Sequence, residues 1–516
     1  MSAFEMVHRD RVVGKLTCFD RLIFKGHLAG FNIPGRLKAF LDQQGVLLTG
    51  FDRYVAAATG RVKAHAQGLA AERGRPYVYL AETHTKSRGQ SKEELARAIA
   101  DRDGIMTGLV CVLAAVEPCS SFGILGNRDT HRLELVRRRR KCLHFYFYWL
   151  HPVLGFCHVR LQSWFPFEVQ VWVNGREALS RALRHEGVRH VRWANAILTA
   201  ADWPLAQRLA GRLATRRWPR LLTALARQVN PMLPVVTGAG FGGYWWVVDQ
   251  AEIATDIAFT SRPALQTILP GLFAHAATAF GAQDVLRFLG RKLHPALAAE
   301  VTSDARRRPE GWRVKHRMAR NSIKVYDKAS VLRVETTIND PTQFRVLRVK
   351  NGRHVWCPMR KGVANLHRYY QVGQAANARY LDALAAAHDH RAGTAVLHRH
   401  THPVTNRGRR HPRLHPLDPD ELALFRAALA GEHAITGFGN ADLTRRLYPH
   451  HATTEVETRR RCQRVSRLIA KLRGHGLVAK IPRRRRYRVT AYGQHFMTAA
   501  LAVHDREFPT AWDNAA

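Results

Sequence analysis

The stretch Ile323–Ile338, IKVYDKASVLRVETTI, brings four side chains with usable chemistry into one short segment: Lys324, Tyr326, Arg333 and Glu335. Two alternating strands around Ala329 and Ser330 predict a tight hairpin, which sets Tyr326 opposite Arg333 and Lys324 opposite Glu335 on one face. Ile323, Val325, Leu332 and Val334 then turn to the core. A phenol ionises near pH ~10, so a phenolate nucleophile needs cations beside it. Arg333 and Lys324 are the catalytic candidates for that task beside Tyr326. The same residues also suit a structural hairpin, with a cross-strand Lys–Glu pair next to a packed tyrosine, worth under about 1 kcal/mol. Both readings are open at this point.

The elements that must position these side chains lie just upstream. EIATDIAF reads as a strand, RPALQTILPGLFAHAATAF as a helix and DVLRFLG as a short extended segment. Glu252 and Asp256 share a face of the first strand, and carboxylates are the natural oxygen ligands of Mg²⁺ or Mn²⁺. This order, with a YDK strand followed by an RVE strand over residues 249–338, is similar to the core of the rolling-circle plasmid and phage replication initiators. The resemblance implies DNA nicking by a tyrosine with a divalent metal. It makes Tyr326 the nucleophile and Glu252, Asp256 and Glu335 the metal ligands, with Mg²⁺ or Mn²⁺ and no organic cofactor. Related nicking enzymes carry a His–hydrophobic–His pair on a strand; here the run HRHTH, His398 to His402, brackets polar residues and reads as a solvated linker.

A second face comes from RRRRKCLHFYFYWLHPVLGFCHVRLQSWFPFEVQVWVNG, which predicts three strands. Pairing the first two sets His144 opposite Gln162, Tyr146 opposite Arg160 and Tyr148 opposite His158, with Leu143, Phe145, Phe147, Val159 and Leu161 on the other side. Glu168, Gln170 and Trp172 extend the polar face. Open sheets with aromatics and cations hold single-stranded nucleic acid by stacking and phosphate contact, so these six residues are binding candidates. The alternatives are a face covered by neighbouring helices, or acid–base chemistry by His144, His158 and Glu168.

Near the C-terminus, DPDELALFRAALAG, NADLTRRLY and EVETRRRCQRVSRLIAKLRGHG predict helices, and LVAKIPRRRRYRVTAYG a hairpin. Three helices and a hairpin in that order are the elements of a winged helix. Arg460, Arg464, Arg467 and Lys471 share a face of the third helix, and Arg483, Arg484, Arg485 and Arg486 occupy the wing tip. These eight are the candidates for duplex DNA, read in the major groove and along phosphates. RVSRLIAKLRGHGLVAKIPRRRRYRVTAYG resembles the winged-helix domains of MarR-like regulators, and the whole chain resembles large basic, largely uncharacterised bacterial proteins with such an end.

Composition sets the frame. Lys and Arg number 81 against 40 for Asp and Glu, a net charge of +41 over 516 residues with pI near 11.1, which points to a polyanionic partner. DNA is expected and RNA is an alternative; no apolar run suits a membrane span. MSAFEMVHRDRVVGKL lacks the apolar segment of a secretory signal, so a cytoplasmic location is expected. The seven cysteines form no CxxC pair, and a set of Cys142, His144, Cys157 and His158 is separated by strand alternation. The fold expected is multidomain α+β: residues 1–190 a helical region with an antiparallel sheet, 191–390 an α+β unit with helical flanks, 391–418 a His/Pro/Arg-rich linker and 419–516 a winged helix. The function expected is DNA processing by strand nicking, as in replication or transposition of a mobile element. A ribonucleoprotein component and a non-catalytic regulator are the alternatives.

Overall fold

Alternation of apolar and polar residues shapes the strands that run through the chain up to residue 338. The computed structural model describes residues 2–81, 91–290, 301–308, 311–387, 399–406, 408–433, 437–482, 484–507 and 509. Its first thirteen strands are β1 (Val12–Leu28), β2 (Tyr77–Leu80), β3 (Gly108–Asn127), β4 (Arg132–His151), β5 (Gly155–Gln162), β6 (Val169–Asn174), β7 (His190–Trp193), β8 (Ala196–Ala200), β9 (Tyr244–Phe259), β10 (Val301–Arg308), β11 (Gly311–Met318), β12 (Asn321–Lys328) and β13 (Val331–Ile338). Eleven of them form one sheet in the order β10-β11-β12-β13-β9-β1-β6-β5-β4-β3-β2, with β2 and β3 its parallel pair. The sheet therefore does not stop at the boundary expected at residue 190. Strands from 191–390 add directly to β1 through the β1–β9 pairing.

Two local expectations are corrected. FDRLIFKGHL, part of the helical region expected within residues 1–190, lies within β1, and VLRFLG, expected as extended, lies mostly in the helix Ala282–Phe288. Both are short apolar runs that fit either period, so long-range context decides them. β1 has neighbours on both edges and buries Leu22 and Phe24, whereas Asp284 accepts the Gly281 N–H at 3.0 Å and starts the helix.

Helices α1 (Pro34–Gln43), α2 (Phe51–Glu72), α3 (Lys92–Arg102), α4 (Gly175–His185), α5 (Trp203–Thr215), α6 (Trp218–Val229), α7 (Leu269–Thr278), α8 (Ala282–Phe288) and α9 (Leu366–Ala385) surround the sheet. Phe145, Phe147, Val159 and Leu161 share a core with Val55, Val62, Leu209 and Leu222 of α2, α5 and α6. Ile323, Val325, Leu332 and Val334 pack against α7, α8 and α9, the side the hairpin's alternation requires. α9 approaches β9 closely at Gly373, where a Cβ would lie 2.6 Å from that of Ile253. A hairpin of β14 (Arg345–Lys350) and β15 (Arg353–Pro358) follows β13, with Val349 and Trp356 exposed. Among the described residues, no helix is long and apolar enough to cross a membrane.

Beyond residue 398 lie β16 (Val404–Asn406), β17 (Arg409–His411), α10 (Pro419–Ala428), α11 (Asn440–Leu447), α12 (Glu455–Gly474), β18 (Val478–Lys480), β19 (Tyr487–Val489) and α13 (Ala491–Ala502). Leu422, Phe425, Leu443, Val465, Ile469 and Phe496 form a core of their own, the arrangement of a winged helix closed by α13. The expected linker 391–418 is partly built into this core. His398 lies outside the described residues, but His400 is buried, with Nδ1 2.9 Å from His475 Nδ1 and Nε2 2.7 Å from the Tyr492 hydroxyl. Burial, and then the neighbouring His475 and Arg399, push the His400 pKa down to about 4. An unfolded chain protonates this imidazole near pH ~6.5, so stability is kept above that value and lost as pH falls toward about 4. The expected loss is about 2 kcal/mol, seen as faster amide exchange in α12 and α13 at about pH 5 than at about pH 7.5, after correction for intrinsic rates. His400→Gln should flatten that difference.

Candidate functional site

The hairpin has the register its alternation predicts: Tyr326 stands opposite Arg333 and Lys324 opposite Glu335, with Ala329 in the turn at φ 52°. On the other side of β13, Arg333 faces Asp256 of β9 and Thr337 faces Glu252. The Tyr326 hydroxyl donates to Glu335 Oε2 at 2.5 Å, and Lys324 Nζ lies 2.7 Å from Glu335 Oε1. Irregular pairing of β1 with β9 between Phe19 and Arg21 brings in Asp20. Asp20, Glu252 and Glu335, all buried, each place a carboxylate oxygen within 4.8 Å of the other two.

Asp20 was not among the sequence candidates, and it, rather than Asp256, lies in this carboxylate cluster. The Asp256 carboxylate is spent on two guanidinium groups: Arg333 donates to Oδ1 at 2.6 Å and Oδ2 at 2.9 Å, and Arg176 Nη2 lies 3.1 Å from Oδ2. Arg176 starts α4, whose first residue, Gly175, lies so near β1 that a Cβ would meet the Phe19 carbonyl oxygen at 2.0 Å. Arg333, a catalytic candidate in the sequence, is likewise taken up by buried acceptors. It is fully buried, and it also donates to Asp20 Oδ1 at 2.8 Å and to the Asn195 carbonyl at 2.6 Å. Asn195, in the β7–β8 turn, donates to both Asp20 oxygens at 2.8 and 3.0 Å and accepts from Lys328. That turn latches the carboxylates in place.

Electrostatics divides the acids. Burial raises the Asp20 pKa, but Arg333 and Arg176 outweigh it and hold the carboxyl below its ordinary value. Glu252 has no such fork. Burial, then the Glu335 charge, push it up to about 7. Burial and Glu335 also raise the Tyr326 pKa well above that of a free phenol, against the opposing pull of Arg333. The cations therefore do not make a resting phenolate. Glu335, already accepting the hydroxyl, is the group placed to take its proton.

Along the edge of this face, Arg313, Lys315 and Arg317 of β11 stand opposite Tyr326, Lys324 and Ser322. Asp304 lies 3.9 Å from Arg313 and 3.7 Å from Arg317. Burial, then Arg317, Lys324 and Arg313, lower the Lys315 pKa, the mark of crowded cations. The period-two pattern in GWRVKHRM is the sequence signal that could have found this strand.

The other binding candidates are sorted by burial. His144, Tyr146, Tyr148, His158, Arg160 and Gln162 pair in the predicted register, but α3 lies over them. Ala96, Ile99 and Ala100 of α3 need an apolar seat and take it on Tyr146, Tyr148 and Phe156. Several polar ends are met internally: Tyr146 donates to Glu117 at 2.7 Å, Arg160 to Gln170 at 2.8 Å and Gln162 to the Phe165 carbonyl at 3.1 Å, while His144 Nε2 and His158 Nδ1 are buried without a hydrogen-bond partner among the described residues. Burial pushes His144 down to about 4 and His158 to about 3. This face is interior and not an open binding surface. In the winged helix, Arg464 pairs with Asp420 at 2.7 Å and Lys471 with Glu421, so both serve the α10–α12 contact. Arg486 donates to the Gly437 carbonyl at 2.6 Å and lies 3.0 Å from Asp442, while Arg483 lies outside the described residues. Arg460, Arg467, Arg484 and Arg485 are exposed. Comparison of the chain with protein-family models, curated proteins and solved structures returns no match.

Proposed function

We propose that the face around Tyr326 cleaves a DNA strand by metal-dependent transfer to tyrosine. One observation carries this reading: the Tyr326 hydroxyl rests on Glu335, beside Asp20 and Glu252 and next to the cationic strand β11. Glu335 accepts the phenolic proton, and Tyr326 Oη attacks phosphorus, forming a phosphotyrosine while the bond to the leaving sugar oxygen breaks and that oxygen takes a proton from water. Arg313, Lys315 and Lys324 hold the backbone across the face. Asp20, Glu252 and Glu335 would hold Mg²⁺ or Mn²⁺, which supplies positive charge to the phosphate oxygens. Lys324 keeps a catalytic place as the ammonium nearest the phenol, 5.4 Å from its ring centroid.

The test is incubation of the full chain with labelled single-stranded and supercoiled DNA and either ion. A covalent protein–DNA adduct is expected, and its absence with every substrate and ion would overturn the reading. Such an activity suits replication or transposition of a mobile element. The RNA-binding alternative drew on the chain's charge and on the Tyr146 face, and α3 covers that face.

The winged helix serves in this reading to locate the site on duplex DNA, through Arg460, Arg467, Arg484 and Arg485. Each phosphate contact adds close to one unit to the slope of log affinity against log salt. Replacing the four by alanine in the full chain should reduce that slope by roughly three. A slope unchanged by the replacements would place duplex binding elsewhere.

A further inference from the structure

A cavity of about 360 Å³ opens beside the carboxylates, between the sheet, α3, the start of α4 and the β7–β8 turn. Asp20 is part of its wall, so the cavity and the carboxylate cluster are adjoining rooms. One wall is the half-buried ring of Trp172, parallel to His158 at 7° with centroids 5.6 Å apart. The rest is hydrogen-bonding groups held stiffly in place. Glu177 lies 3.3 Å from Arg97 and 2.7 Å from Arg192, and Arg97 also reaches Glu93 at 3.1 Å.

Three arginines, Arg21, Arg97 and Arg192, face three carboxylates, Asp20, Glu93 and Glu177, so the lining is electrically balanced. A phosphate has no preference for such a wall and a strong one for β11. What the lining suits is a flat, uncharged group with donors and acceptors round its edge and a face for an aromatic ring. We propose that this cavity receives one unpaired nucleobase of the strand whose phosphate lies at Tyr326. A base held in a duplex presents neither its face nor its pairing edge, so the substrate is single-stranded or carries an everted nucleotide. The placement of the phosphate rests on the strand-cleavage reading above. The cavity's preference for a base does not.

The experiment separates the two. The full chain in chelator, where no cleavage is needed, is irradiated with oligonucleotides carrying a single iodouracil at successive positions, and the cross-linked peptide is sequenced. A cross-link at Trp172 from one position, absent when the same oligonucleotide is annealed to its complement, is expected. Trp172→Ala should weaken single-strand binding about tenfold, and Trp172→Phe, which keeps a stacking face, should restore most of it. Equal affinity of wild type and Trp172→Ala, cross-links confined to residues outside the cavity, or no single-strand binding at all would overturn the proposal. Cross-linking at Trp172 without cleavage by any ion supports the cavity and removes the cleavage reading; cleavage without that cross-link does the reverse.

Discussion

Tyr326→Phe will abolish the covalent protein–DNA adduct and lower strand cleavage by roughly 10³-fold or more, while the protein stays folded. Phenylalanine keeps the ring that packs on the hairpin and removes the one oxygen able to form the bond to phosphorus. The structural cost is small. Glu335 loses the donor at 2.5 Å but keeps Lys324 at 2.7 Å, so the change should cost about 1 kcal/mol in stability. Circular dichroism and binding to a single-stranded oligonucleotide in chelator serve as the controls. Cleavage at the wild-type rate by the variant would show that another nucleophile, such as water, attacks the phosphate.

Arg333→Met should be the most damaging single substitution for stability, although the residue touches no substrate. Removing the guanidinium leaves Asp256 with Arg176 alone and strips Asp20 of its closest cation, where Asp256 is buried and Asp20 is only 7% exposed. Breaking a buried ion pair from one side costs about 3–5 kcal/mol, enough to lower the Tm of a sheet unit of this size by about 4–6 °C. Arg333→Lys should recover part of this, since one ammonium cannot reproduce the fork that spans Asp256, Asp20 and the Asn195 carbonyl. Asp256→Asn combined with Arg333→Met should cost less than the two changes added together, because each removes the other's partner. A Tm for Arg333→Met within about 2 °C of wild type would mean that the network contributes nothing net.

The parts of this site that could be read from sequence are those set by neighbours in the chain. The Tyr326–Arg333 and Lys324–Glu335 pairs follow from a two-residue turn and strict alternation, and the His144–Gln162 register follows in the same way. The winged helix was legible because its caps, helices and wing are consecutive. What escaped was set at long range. Asp20 sits in a run that fits either a strand or a helix, and its carboxylate reaches Glu252 and Glu335 only through an irregularity in a pairing with residues some 230 positions away. The fate of the Tyr146 face depended on α3, whose apolar residues announce that the helix needs a seat but not which one. Arg333 shows the same limit: opposite Tyr326 on its hairpin, it also stands beside two aspartates that the local sequence does not bring to it.

β1 occupies the middle of the sheet, between β9 and β6, although it leaves the ribosome before either of them. It carries Asp20, whereas Glu335 and Tyr326 are made more than three hundred residues later. At a synthesis rate of about 5–20 residues per second, a nascent chain spends some tens of seconds with its first carboxylate in place and no nucleophile. Products truncated before β12 cannot bring Tyr326 to Asp20, since they lack the strand that carries it. In the strand-cleavage reading proposed above, the centre is complete only once β13, the last strand of the sheet to be made, has been synthesised.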